Sequence, residues 1–281
     1  MQKITRKSRL KWIFAVIAIF AITILHFTFN IKSPVLLKHY YDVDAHYDTN
    51  FIMSYITNSY DTKKIKAVEF PELKNDNITL SFGVPCHESI KFNYKQCSFY
   101  VDVRKKEINS NENLDDIQLT KMKVTYDNGD IQIVDIGKIV LSSSKIYTAT
   151  EMVSASSSTN NAYMNKVRFK QDVKLNKLSS VLDSELEDAL NLQLYRAPLK
   201  ELKLPIQLKR GEILTVNAAI QFDKNDNRKF NCYNIDKTLY LEDLNGNLLK
   251  DKIVGFSYEP YLQWQDYFKL VKSFKSKYGS N

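Results

Sequence analysis

The sequence predicts a mainly-β region of antiparallel, sandwich-like modules with a few helices, carried behind a single N-terminal transmembrane helix. Three observations predict it. Residues 12–31, WIFAVIAIFAITILHFTFNI, hold no charge. From Ile65 onward, short runs of alternating apolar and polar residues recur between Asn-Gly, Arg-Gly and serine-rich breaks. The chain carries 17 Tyr and 15 Phe, residues that favour strands, against only 7 Gly.

Residues 1–11 form a short basic tail with Lys3, Arg6, Lys7, Arg9 and Lys11 and no acidic residue. A helix rises ~1.5 Å per residue, so the apolar run that follows reaches about 30 Å, the thickness of a hydrocarbon core. Basic residues flanking a span stay in the cytoplasm. The expected topology is therefore single-pass in the cell membrane, N-terminus inside and the C-terminal region outside. The run ends in Leu25, His26, Phe27, Thr28, Phe29 and Asn30 without the small-residue pattern of a cleavage site, so an uncleaved signal-anchor is expected. The lipid bilayer is thus the first predicted partner, and His26 is a candidate contact with a membrane protein.

Residues 32–63 read as a juxtamembrane stalk, because apolar and polar residues mix there without clean alternation. The first β-rich module spans 64–146. Its clearest signal is KMKVTYDNGDIQIVDIGKIVL, where Asn128-Gly129 sits between alternating apolar residues. Both turn residues of a two-residue hairpin take positive φ, which Asn and Gly tolerate. Residues 147–161 are rich in serine and read as a linker or exposed loop. The second module, 162–258, repeats the rhythm with an Arg210-Gly211 turn and an Asn245-Gly246 hairpin. Within it, residues 179–194 read as a helix, with Ser180 and Asp183 at capping-box spacing. A single larger sandwich with a long insertion is the alternative. The Cys…Trp…Cys spacing of antibody-type domains is absent, and the sequence suggests no family.

Residues 259–281 close the chain as an amphipathic helix. Pro260 suits a first turn. Trp264, Tyr267, Phe268, Val271, Phe274 and Tyr278 recur at helical spacing, with Lys269, Lys272, Lys275 and Lys277 filling much of the rest. The stripe is expected to pack on the second module. The competing reading lays it on a membrane or in a partner's groove.

Charge and motifs exclude several function classes. The net charge is +8, but without the five basic residues of the tail the balance is 35 basic to 32 acidic, which is not a nucleic-acid footprint. There is no GxGxxG or GxxxxGK[ST] to cradle phosphates. A tail of eleven residues is too short to fold as a cytoplasmic domain.

Two stretches carry candidate site residues. In CHESIKFNYKQC, residues 86–97, Cys86 and Cys97 lie where a hairpin would bring them together. Outside the cytoplasm paired cysteines are more often bridged than reactive, so a Cys86–Cys97 disulfide is expected, with Cys232 a competing partner. A Cys86/His87 catalytic pair is disfavoured, because neighbours on a strand point to opposite faces. In HYYDVDAHYD, His39, Asp42 and His46 would share one face of a helix, a weak candidate metal site. A calcium loop fails there, since Met53 stands at the last ligand position. The acidic group Glu185, Glu187 and Asp188 reads as a solvated face. No catalytic set and no cofactor are implied. The expected function is extracytoplasmic binding or assembly with a protein partner in the membrane or envelope. An anchored hydrolase, or an accessory subunit pairing through its anchor helix, is the alternative.

Overall fold

The structure is a computed structural model that describes residues 11–20, 30–45, 48–74, 78–91, 93–105, 116–142 and 149–278. A helix, α1, covers residues 11–20 with every side chain exposed. Eight strands follow: β1 (Val35–Leu36), β2 (His39–Asp44), β3 (Thr49–Asn58), β4 (Ile65–Glu69), β5 (Ile78–Lys91), β6 (Tyr94–Lys105), β7 (Ile117–Tyr126) and β8 (Ile131–Ser142). Then come β9 (Thr150–Ser157), β10 (Ala162–Phe169), β11 (Val173–Ser179), the short helix α2 (Asp183–Leu186), β12 (Leu190–Leu194) and β13 (Ala197–Pro198). The chain closes with β14 (Ile206–Leu208), β15 (Ile213–Ile220), β16 (Cys232–Asp243), β17 (Leu248–Tyr258) and α3 (Trp264–Tyr278).

The strands form three sheets. A four-stranded sheet runs β1-β3-β6-β5, and a five-stranded one runs β13-β12-β15-β10-β9. The eight-stranded sheet runs β14-β11-β16-β2-β8-β7-β4, with β17 also on β16. Pairing is antiparallel except where β2 lies parallel to both β8 and β16.

The buried apolar residues fall into two clusters. One contains Phe51, Met53, Phe99, Val101, Met122 and Ile136, from the four-stranded sheet and the β2-β8-β7-β4 side of the large sheet. The other contains Val167, Leu175, Leu214, Leu239 and Phe256, from the five-stranded sheet and the β14-β11-β16-β17 side. Along β2, Tyr41 and Val43 enter the first cluster while Tyr40 packs on the second. Along β8, Ile139 and Leu141 enter the first and Val140 the second. Side chains alternate across a strand, so the two smaller sheets pack on opposite faces of the large one, offset along it.

Local turn chemistry explains the hairpins. Gly129 sits at φ +86° and donates its N–H to Tyr126 O at 3.0 Å. Gly246 sits at φ +82° in the β16–β17 turn, where Asp243 Oδ1 accepts the N–H groups of Asn245 and Asn247, each at 2.8 Å.

Four expectations are corrected. Residues 32–63 are not a stalk: β1 to β3 run through them, and Val35, Leu37, Tyr41, Met53 and Ile56 are buried in the first core. The serine-rich stretch contains a strand, β9, rather than only a loop. The helix expected over 179–194 shrinks to α2 and a 3-10 turn, because Leu190–Leu194 pairs with β15. Its start signal does operate: Ser180 N–H donates to Asp183 Oδ2 at 2.9 Å and Ser180 Oγ accepts from Leu182 N–H at 3.2 Å. Finally, α3 packs on the first core and not the second. Tyr267 and Val271 are buried there, and Tyr267 stacks on Tyr94 with ring centroids 5.7 Å apart.

Of the predicted span 12–31, residues 21–29 lie outside the described residues. Among the described residues, no helix is long and apolar enough to cross a membrane.

Candidate functional site

The least protected element among the described strands is β9. It pairs with β10 on one side only and is an edge of its sheet. Every residue from Glu151 to Ser157 is exposed, including Met152 and Val153. An ordinary edge strand hides one face on the core. Here both faces and one row of backbone N–H and C=O groups meet solvent. Edge strands are usually blunted by lysine, proline or brevity. β9 contains no lysine and no proline and runs for 8 residues. One charge at its start, Glu151, is tied to Arg168 at 2.8 Å.

Beside this edge, the outer face of the five-stranded sheet forms a trough of about 340 Å³. Register builds it. Gln193 faces Asn217, Asn217 faces Met164, and Met164 faces Ser156, one row across four strands. The next row runs Asn191, Ala219, Ala162. The row offers amide donors and acceptors beside small side chains, which let another backbone approach. It presents no nucleophile with a base and no pair of acids.

A second cluster lies where the large sheet turns toward the second core. Lys252 Nζ donates to Ser142 Oγ at 2.9 Å and stands 3.4 Å from Asp42 Oδ1. Ser142 Oγ donates to Asp42 at 3.0 Å. Asp251 Oδ2 accepts from Thr150 N–H at 2.7 Å and Thr150 Oγ1 at 2.8 Å. Asp236 Oδ1 accepts the Gly255 N–H at 3.1 Å. Burial pushes the Asp236 carboxyl up to about 6. Lys252 opposes that shift, Asp42 adds to it, the Gly255 N–H opposes it and Asp44 adds to it. A serine beside a lysine resembles a nucleophile and its base, but this lysine is already paired with Asp42. The adjoining cavity is about 70 Å³, well below the ~300 Å³ at which small-molecule sites begin. These groups satisfy one another and join β2, β8, β9 and β17, which is a structural task.

The residues singled out in the sequence are scattered. His39 is buried on β2, where Nε2 accepts the Ser54 N–H at 2.9 Å. Burial holds its pKa down to about 3, opposed by the Leu37 backbone. Asp42 is on the same strand, three residues on, and so faces the other way. The helical spacing that suggested a metal site therefore does not apply, and His46 lies outside the described residues. Among the described residues, no three His, Cys, Asp or Glu side chains gather as a metal site.

The expected hairpin at Cys86 exists: β5 and β6 pair down to Lys91 opposite Tyr94. Its register sets Cys97 opposite Glu88, and irregularities flank Pro85. Cys97 is a free, buried thiol, and the side chain of Cys86, its expected partner, lies outside the described residues. Cys232 is likewise free and buried. Of the acidic group, Asp188 is exposed and pairs with Arg228 at 2.9 Å. Neither β9 nor the amide row was foreseen. The run Thr150-Glu151-Met152-Val153 was the available signal for β9, and the serines after it masked it.

The fold defines this chain as a mainly-β protein of antiparallel, sandwich-type sheets. No family model matches it, and no curated protein does. Among solved structures, it aligns to a protein of unknown function from Porphyromonas gingivalis W83 at 12% identity and TM-score 0.24, covering 78% of this chain and 94% of that one. It aligns to the YadV chaperone at 7% identity and TM-score 0.24, covering 79% and 99%. A chimeric titin Z1Z2 aligns at 8% identity and TM-score 0.21, covering 79% and 95%. At such TM-scores these likenesses carry no argument about what the chain does.

Proposed function

We propose that this chain is a membrane-anchored protein that works outside the cytoplasm by binding or assembly, and that it takes an extended segment of a partner protein along β9. The anchor and the orientation rest on the uncharged run 12–31 and the basic tail before it. The binding role rests on one observation: an edge strand of 8 residues with residues 151–157 exposed, beside a trough of amides and small side chains. In strand addition, main-chain hydrogen bonds supply affinity and alternate side chains supply selectivity. β9 offers the first and the row Gln193, Asn217, Met164 and Ser156 offers the second.

The test is a photo-crosslinking residue placed at Ser156 in the full chain, in its native membranes, with Ser184 on α2 as the exposed control. A discrete crosslinked product from Ser156, absent from Ser184 and lost on Ala155→Pro, is the expected result. No product from Ser156, or the same products from both positions, would refute the reading.

A further inference from the structure

The point where the chain leaves its apolar run is fixed by a set of contacts. Ile31 exchanges two hydrogen bonds with the Asn58 side chain, at 3.0 Å and 2.6 Å. Tyr60 Oη donates to Asn30 Oδ1 at 2.7 Å. The end of β3 and the tip of the β5–β6 hairpin therefore lie beside residues 30 and 31, since Asn58 pairs with Tyr94 and Ser59 N–H donates to Asn93 O at 2.8 Å.

Helix α3 is drawn to the same end. Its Tyr267 stacks on Tyr94, and Phe268 meets Tyr94 edge-on at 5.9 Å. Lys91, at the hairpin tip, donates to Leu262 O at 3.0 Å and lies 4.0 Å over the Tyr261 ring. Near the far end of the helix, Lys275 is held below the ordinary lysine range, first by burial and then by the like charge of Lys32. The start of α3 is thus tied to the exit point through Tyr94 and Lys91.

What this end leaves exposed is unusual for a solvated surface. Tyr60 is 57% exposed, Ile90 64%, Tyr261 81% and Trp264 57%. On the face of α3 turned away from the core, Lys269 and Lys272 are exposed. Amphipathic aromatic rings favour the headgroup level, and basic helices are drawn to anionic lipid.

We infer that this end is a lipid-contacting surface. Tyr60, Ile90, Tyr261 and Trp264 enter the headgroup layer of the bilayer leaflet from which residue 32 emerges, and Lys269 and Lys272 bind its anionic headgroups. The inference rests on the anchored reading above, because that reading brings the leaflet to residues 30 and 31. Two features single out lipid as the occupant: the surface adjoins residues 30 and 31, where the uncharged stretch of sequence ends, and it combines aromatics with lysines. The surface sets the outer region down against the membrane instead of leaving it free on a flexible tether.

The test uses the full chain with Trp12→Phe, which leaves Trp264 the sole tryptophan of the two. It is reconstituted in liposomes of phosphatidylcholine, with or without about one-fifth phosphatidylserine, carrying a lipid nitroxide near the headgroup. Strong quenching of Trp264 in the anionic liposomes is expected, weaker in phosphatidylcholine alone, and cut by roughly half or more in Lys269→Glu/Lys272→Glu. Anchoring is read separately, as resistance to alkaline carbonate extraction. A chain that resists extraction with Trp264 unquenched overturns the surface and leaves the anchor standing. A chain that is extracted, yet quenched at neutral pH, sustains the surface and removes the anchor. Extraction without quenching overturns both.

Discussion

Replacing Tyr267 with Ala tests where the C-terminal helix belongs. Tyr267 and Tyr94 are each 1% exposed, and their rings stack 5.7 Å apart at 12°. Removing a large buried aromatic costs about 3–5 kcal/mol through lost burial and the cavity left behind. Of this, about 0.5–1.5 kcal/mol belongs to the ring pair itself. With a urea slope of about 3 kcal/mol/M, as suits a chain this large, the midpoint should fall by about 1–1.7 M. The assay is urea unfolding of the full chain in detergent, followed by Trp264 fluorescence. Trp264→Ala, at a residue 57% exposed, serves as the near-neutral control in a parallel circular-dichroism experiment. A double-mutant cycle then locates the contact. Tyr94→Ala should couple to Tyr267→Ala, while Tyr163→Ala, in the second core, should add independently. A midpoint shift under about 0.3 M, or coupling to Tyr163 without coupling to Tyr94, would refute the packing described.

The other expectations concern the interior. Asp236, raised to about 6, binds a proton in the folded chain that the unfolded chain has released above about 4, so its contribution to stability falls as pH rises from about 4 to 6. His39, lowered to about 3, does the reverse: the unfolded chain binds the extra proton below about 6.5, so stability falls as pH drops. The two slopes oppose each other between pH ~4 and ~6, and Asp236→Asn should uncover a gain of about 1.4 kcal/mol per pH unit there; urea midpoints that stay as flat as in the wild type would contradict this. Gly137 sits at φ +93°, and a Cβ there would come within 2.6 Å of His39 O; Gly137→Ala should therefore lose on the order of 3 kcal/mol or more, and a wild-type midpoint would refute the strain. Cys97 and Cys232 are 3% and 2% exposed, and burial raises both thiols; neither should take maleimide before unfolding, and native labelling, or a non-reducing map joining Cys97 to Cys86, would count against the free thiols described.

Legibility followed the range of the interaction. The Asn128-Gly129 and Asn245-Gly246 hairpins were readable because a turn residue and its φ are neighbours in the chain. The β5–β6 hairpin was foreseen only as the loop between two cysteines, not from turn residues. Residues 39–44 were misread because HYYDVD has apolar and polar residues in both phases of the alternation. That composition suits a strand with core on both faces: Tyr41 and Val43 enter one cluster and Tyr40 the other, while Asp42 finds Ser142 and Lys252. The amide row was invisible for a related reason. Gln193, Asn217, Met164 and Ser156 come from four strands and meet only through register.

By itself, then, the sequence determined the uncharged run, the mainly-β character, the hairpins and the amphipathic pattern of the last helix, since each is written in spacings of a few residues. Tertiary structure decided which surfaces those elements cover. β2 lies between β8 and β16 in parallel pairs, His39 against Gly137 and Cys232 against His39, partners roughly 100 and 190 residues away along the chain. Helix α3 turned back to Tyr94 in the first core, although Phe256 and Tyr258 at the end of β17, the strand before it, belong to the second. An apolar stripe specifies that it will be buried but not against what; that depends on which surface the sheets leave uncovered once the long-range pairs have closed.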